Sequence, residues 1–202
     1  MKIKYIAIER EYGSAGTKIA EETAKKCNIS CYGHEIMEAV SKEKDIPVSA
    51  LEKYEESVSS SFMYSMFVMS QTHTGNPDLL SNEGKLYVDE AQVIKELALN
   101  GPAVFVGHCA AGILKDFDGV LRVFIHADDE TKHKRIINDY KIPEQDVDST
   151  CRKYNKKRAN YYSFCTQKKW DDIKNYDIVL DSSTLGIDGC AAALAAIYLN
   201  SK

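Results

Sequence analysis

Short apolar runs punctuate a chain of otherwise mixed polarity. Four of them, YIAIE (5–9), AVFVG (103–107), VLRVFIH (120–126) and DIVLD (177–181), are rich in Val and Ile. Their apolar character is continuous rather than alternating, which predicts strands covered on both faces, as in a parallel sheet. A weaker strand candidate lies at ISCY (29–32). Between the runs the period changes to that of helices. In KIAEETAKKC the residues Ile19, Ala20, Thr23, Ala24 and Cys27 form one stripe. EGKLYVDEAQVIKELALN repeats Leu86, Val93, Ile94 and Leu97 on one face and stops before Gly101-Pro102. DDETKHKRIINDY opens with acids, as a helix dipole favours. PEQDVDSTCRKYNKKRANYYSFC reads as a long polar helix with few apolar positions, and IDGCAAALAAIYLN as a small-residue helix packed on the sheet.

Strands alternating with helices predict an α/β domain with right-handed crossovers. Residues 33–100 break the rhythm: they carry helical patterns without a clear strand. They read as a helical insertion between the second and third strands, with TGNPDLLSNEG (74–84) as its loop.

The bulk numbers narrow the chemistry. The chain has 202 residues, enough for one sizeable core, and a formal net charge of -4, which argues against a broad nucleic-acid-binding surface. The apolar run in MKIKYIAIER is too short for a signal peptide, and no stretch approaches a membrane span. The six cysteines include no C-x-x-C pair and read as reduced thiols of a cytoplasmic protein. Cys27 and Cys31 lie four apart, but no histidine pair completes a metal site.

The first strand ends near Glu9 and the next helix begins near Thr17, leaving the small residues Gly13, Ser14, Ala15 and Gly16 between them. Small residues let backbone N–H groups approach phosphate oxygens, and the helix start adds its dipole. The same pattern also describes a plain strand-to-helix turn. The usual loop, G-x-x-x-x-G-K-[ST], is not matched, because Lys18 comes one step late. One step turns a helical side chain by about 100°. Either a long lysine stem compensates or Arg10 supplies charge from the other side.

The stretch EREYGSAGTKIAEE resembles the opening motif of the cytidylate kinase-like family, relatives of bacterial cytidylate kinase in which the loop lysine is commonly missing. AQVIKELALNGPAVFVGHCAAGIL resembles the family's third strand and its flanks. LRVFIHADDETKHKRI resembles the fourth strand and the helix that leads to the lid. KKRANYY resembles the lid helix, and NYDIVLDSSTLGIDG the last strand. The resemblance implies a three-layer P-loop NTPase fold with a five-stranded parallel sheet, a helical substrate-binding insertion and a helical lid. On that plan the core comprises 1–32, 100–140 and 170–202, the insertion 33–99 and the lid 141–169.

It also implies ATP and Mg²⁺ as cofactors and a small-molecule nucleotide as partner, with neither nucleic acid nor membrane involved. The donor site would comprise Arg10, Gly13, Ser14, Ala15, Gly16, Thr17 and Lys18, Thr17 being the candidate Mg²⁺ ligand. Lys18, Arg135, Lys156 and Arg158 would neutralise the migrating charge. His34, His108, Arg152 and Tyr161 would serve the acceptor. GHCAA (107–111) and YGHEI (32–36) depart from the family pattern, with His108 and His34 where arginines are usual. An imidazole lacks the bidentate fork of a guanidinium, which puts a cytidylate acceptor in question. The expected activity is ATP-dependent phosphoryl transfer to a nucleoside monophosphate or another small acceptor. The rival is a nucleotide-binding sensor without catalysis, and oligomeric state is not legible.

Overall fold

The computed structural model describes residues 2–57 and 82–201. The chain order is β1 (Tyr5–Arg10), α1 (Gly16–Cys27), β2 (Ser30–Tyr32), α2 (His34–Lys44), α3 (Val48–Ser57), α4 (Asn82–Leu99), β3 (Ala103–Val106) and α5 (Ala110–Ile113). β4 (Val120–His126), α6 (Asp129–Asn138), α7 (Val147–Thr166), β5 (Ile178–Asp181) and α8 (Ser182–Leu199) complete it. The five strands form one parallel sheet in the order β2-β3-β1-β4-β5, so all four apolar runs and the weaker ISCY segment are strands.

Alternation along β1 sorts its side chains onto two faces. Ile6 and Ile8 join α1 and α8 in one core with Val104, Val123, Ile125, Ala191 and Leu194. Tyr5 and Ala7 face a second core built with Ile36, Leu51, Leu86, Ile94 and Phe105 from the α2, α3, α4 and β3 segments. A third cluster is aromatic: Tyr161, Tyr162 and Phe164 of α7 pack with Phe124, Trp170 and Tyr176. The apolar anchor of the polar helix α7 is therefore concentrated in its last turns.

Two sequence readings are refined. The proposed loop at 74–84 lies largely outside the described residues, and Asn82–Gly84 already belong to α4. Contrary to the reading that nothing approaches a membrane span, α8 is long and apolar enough to cross one, with mean hydropathy 1.3. Non-helical backbone at Gly186 kinks it, and Cys190, Ala191 and Leu194 are fully buried against the sheet.

Candidate active site

Parallel strands end together, and here β1 and β3 deliver Arg10 and Gly107 to the same edge. The loop after β1 turns back through Gly13 and Ala15, both with positive φ, into α1. Ala15 caps α1 without any side-chain hydrogen bond, so the first-turn amides depend on an outside partner. The loop carbonyls face the opposite way and are tied down. Buried Ser182 donates its hydroxyl to Ser14 O at 2.7 Å. Arg135 donates to Gly13 O at 3.4 Å, to Ser182 Oγ at 2.9 Å and to Ser182 O at 3.0 Å. Ser14 closes the turn by donating to Glu11 O at 2.8 Å. Glu11 is held in turn by Lys132, whose Nζ lies 3.1 Å from Oε2.

α7 lies across this loop. Tyr12 N–H donates to Asn155 Oδ1 at 2.7 Å, and Arg158 donates to Arg10 O at 2.9 Å. The Tyr12 and Tyr154 rings stack at 4.6 Å with an interplanar angle of 8°. Lys157 Nζ stands 5.0 Å from the Tyr154 ring centre, and the Arg158 guanidinium 5.7 Å from that of Tyr12.

Between the loop, α2, β3 and α7 opens a cleft of about 380 Å³. Arg10, Thr17, His34, His108, Lys157 and Arg158 line it, with Glu52 and Met37 among the other walls. Arg10 is wedged: a Cβ on Gly16 would come within 2.4 Å of its Cβ, and one on Gly107 within 2.2 Å of Nη1. Its Nε is buried without a hydrogen-bond partner among the described residues. Below it lies Glu9, 5 % exposed, which accepts the Trp170 indole N–H at 3.2 Å. Burial pushes the Glu9 carboxyl above its usual range, while Arg10, the indole, Arg158 and His108 pull the other way. His108 Nδ1 is 2.8 Å from Glu90 Oε1, and Tyr161 OH donates to Glu90 Oε2. Glu90 is fully buried.

The structure thus gathers Arg10, Thr17, His34, His108 and Arg158 at one cleft, next to Gly13, Ser14, Ala15 and Gly16. Lys18 is not among the cleft's lining residues; half exposed, it pairs with Asp139 at 2.8 Å. Arg135 sits behind the loop, on its carbonyl side. Lys156 and Arg152 are exposed and outside the cleft lining, whereas Lys157 lines it. Tyr161 is buried and not among the cleft's lining residues; its hydroxyl donates to Glu90, the partner of His108. His34 is mostly exposed and lies 3.6 Å from Glu38.

Glu90, Glu9 and Ser182 were missed by sequence reasoning. Glu90 left one signal, since an acid between Leu86 and Val93 falls on the apolar stripe of α4.

Among the described residues the lining offers one aliphatic hydroxyl, Thr17, and one carboxylate, Glu52, besides the phenol of Tyr154. That suits Mg²⁺, which keeps waters and leans on substrate phosphates rather than on a protein cage.

Comparison with known proteins agrees with this architecture. A family model described as the cytidylate kinase-like family matches residues 5–184. No curated protein matches the sequence. Among solved structures, an uncharacterized protein from Eubacterium ventriosum is similar with a TM-score of 0.72 and 24% identity, over 98% of this chain and 99% of that one. TT1252 from Thermus thermophilus is similar with a TM-score of 0.58 and 13% identity, over 100% of both chains. A shikimate kinase from Bacteroides thetaiotaomicron is similar with a TM-score of 0.53 and 11% identity, over 96% of both. The shared fold is that of P-loop NTPases.

Proposed function

We propose that this chain, which belongs to the cytidylate kinase-like family, transfers the terminal phosphoryl group of ATP to a small-molecule acceptor. The observation that carries the reading is the convergence of Arg10, Lys157 and Arg158 on the cleft beside the uncapped start of α1. Phosphoryl transfer demands positioning and charge neutralisation above all, and these residues offer both. The α1 amides and the loop receive the donor phosphates. Arg10, locked between Gly16 and Gly107, supplies the fixed cation that the loop lysine gives elsewhere. α7 acts as the lid: Asn155 and Arg158 fasten it to the loop, and its docking excludes water from the transferring group. Thr17 and Glu52 would hold Mg²⁺, which when bound draws charge from the phosphate oxygens. Arg135 and Ser182 set the loop from behind, so their part is positioning. We place the protein in the cytoplasm, in keeping with six unpaired cysteines.

A second reading is favoured by Lys18, whose ion pair with Asp139 keeps it outside the cleft lining: a nucleotide-binding protein without turnover. Calorimetry with MgATP and a coupled assay for ADP release separate the two. Binding with turnover supports the kinase. Binding with no ADP from any acceptor supports the sensor. No nucleotide binding sinks both.

A further inference from the structure

We propose that Tyr12 is a positioning residue for the nucleotide: stacked on Tyr154, it seats over the loop after β1 the stretch of α7 that carries Lys157 and Arg158. The inference rests on the phosphotransferase reading above and adds a residue which that reading does not use. Tyr12 is not among the cleft's lining residues, so its effect on a nucleotide passes through other side chains.

The need for such a residue follows from the burial of α7. Val147 is buried at its start and Tyr161, Tyr162 and Phe164 near its end, but between Val147 and Tyr161 no residue is buried. The apolar core therefore fixes both ends of the helix and leaves its middle, with Lys157 and Arg158, to other contacts. Tyr154, Asn155 and Arg158 follow Cys151 by three, four and seven residues, the spacing of one helix face. All four meet Arg10 or Tyr12.

Tyr12 is gripped by its backbone and by its ring. Its N–H donates to Asn155 Oδ1 at 2.7 Å, and its carbonyl accepts from Cys151 Sγ at 3.9 Å. Asn155 Nδ2 donates to Cys151 Sγ at 3.7 Å, which closes the set. The Tyr12 ring lies 4.6 Å from that of Tyr154 at 8°, and Tyr140, just past α6, meets it at 5.2 Å and 55°. Aromatic faces attract cations within about 6 Å. Lys157 Nζ is 5.0 Å from the Tyr154 ring centre and Lys153 Nζ 5.9 Å. The Arg158 guanidinium, 5.7 Å from the Tyr12 ring centre, also donates to Arg10 O. Lysine stems have many rotamers, and ordering one opposes binding. Held over a ring that is itself held, the Lys157 ammonium is placed in the cleft beforehand.

Calorimetry with MgATP tests this on the full chain, in Tyr12→Leu, Lys157→Ala and the double variant. Leu keeps apolar bulk and removes the ring. Tyr12→Leu should weaken MgATP about tenfold. If the stack places Lys157, the two losses overlap: Lys157→Ala should cost at least about twofold less in the Tyr12→Leu background than in wild type. A residue that serves stability alone lowers thermal unfolding without such overlap. Tyr12→Phe, which retains the ring, should bind MgATP as wild type does. Undiminished affinity in Tyr12→Leu, a Lys157→Ala penalty that shrinks by less than that factor, or a Tyr12→Phe closer to Tyr12→Leu than to wild type each overturns the proposal and leaves the phosphotransferase reading standing. Should thermal scans find Tyr12→Leu unfolded, Tyr154→Leu cuts the same stack from the helix side, and its cycle with Lys157→Ala is decided by the same outcomes. Wild-type protein that binds no MgATP overturns both readings.

Discussion

Gly107→Ala tests whether Arg10 serves as the fixed cation. Gly107 has φ of +76°, and a Cβ there would stand 2.2 Å from Arg10 Nη1 and 3.1 Å from Cζ. Two costs follow. Left-handed backbone with a Cβ costs roughly 1–2 kcal/mol, which lowers the melting temperature of a chain of this size by several degrees. The second cost falls on function, because the guanidinium must leave its seat between Gly16 and Gly107. A charge-assisted hydrogen bond contributes about 1.5–3 kcal/mol, so its loss weakens MgATP about ten- to a hundredfold.

The two costs separate in a double-mutant cycle. Arg10→Ala alone should weaken MgATP by the same factor. Adding Gly107→Ala to it should leave affinity unchanged, because the group it displaces is gone, while the backbone cost in thermal unfolding persists. Calorimetry and thermal scans on the four proteins give both readouts. If Gly107→Ala weakens MgATP equally with and without Arg10, the glycine acts by another route and Arg10 is not the loop's cation.

Ser182→Ala removes the hydroxyl that bonds Ser14 O and receives Arg135, and should cost about 1–3 kcal/mol in chemical denaturation. Lys18→Ala should change MgATP affinity less than about twofold, as expected for an exposed ion pair, whereas Lys157→Ala should weaken it clearly, since Lys157 lines the cleft. Glu9→Gln tests linkage. Its carboxyl is raised by burial, so its favourable contribution is complete below the unfolded value, about 4.3, and is lost as pH rises through the raised folded value. Denaturation across pH should therefore find the variant more stable than wild type at neutral pH, with the difference gone below about pH 4.

The sheet was legible because β1 and β3, and most of β4, are buried, and short covered strands leave a continuous signature, whereas DIVLD reads as covered on both faces and is instead the edge strand β5, with no buried residue and Val179 exposed. The loop was legible because small residues at a strand end are conspicuous. What resisted was orientation. Lys18 and Thr17 are adjacent, yet only Thr17 lines the cleft, since one helical step turns a side chain by about 100°. Lys156 and Lys157 pose the same problem on α7, where no apolar stripe near them marks which side faces inward. Ser182 and Arg135 reach the loop over 168 and 122 residues of sequence, a contact that no local pattern encodes.

The buried acids complete the physical picture. Arg10 and Arg158 converge on one cleft, where like charges repel. Glu9 and Glu90 lie beneath the cleft at 5% and 0% exposure, where burial makes carboxylates unfavourable. Their positions explain why the fold tolerates them. Glu9 offsets Arg10 and Arg158 from below, and Glu90 grips His108 and Tyr161, joining α4, the turn after β3 and α7. Neither acid needs to touch phosphate. On the proposed function, Glu9 holds Arg10 and Glu90 holds His108 in place ahead of a nucleotide, so that binding need not reorganise the cleft. This account requires a trade. Glu9→Gln should gain stability at neutral pH and also loosen Arg10, so that MgATP binds more weakly in the more stable protein. A variant that gained stability with undiminished MgATP affinity would show that Glu9 serves packing alone.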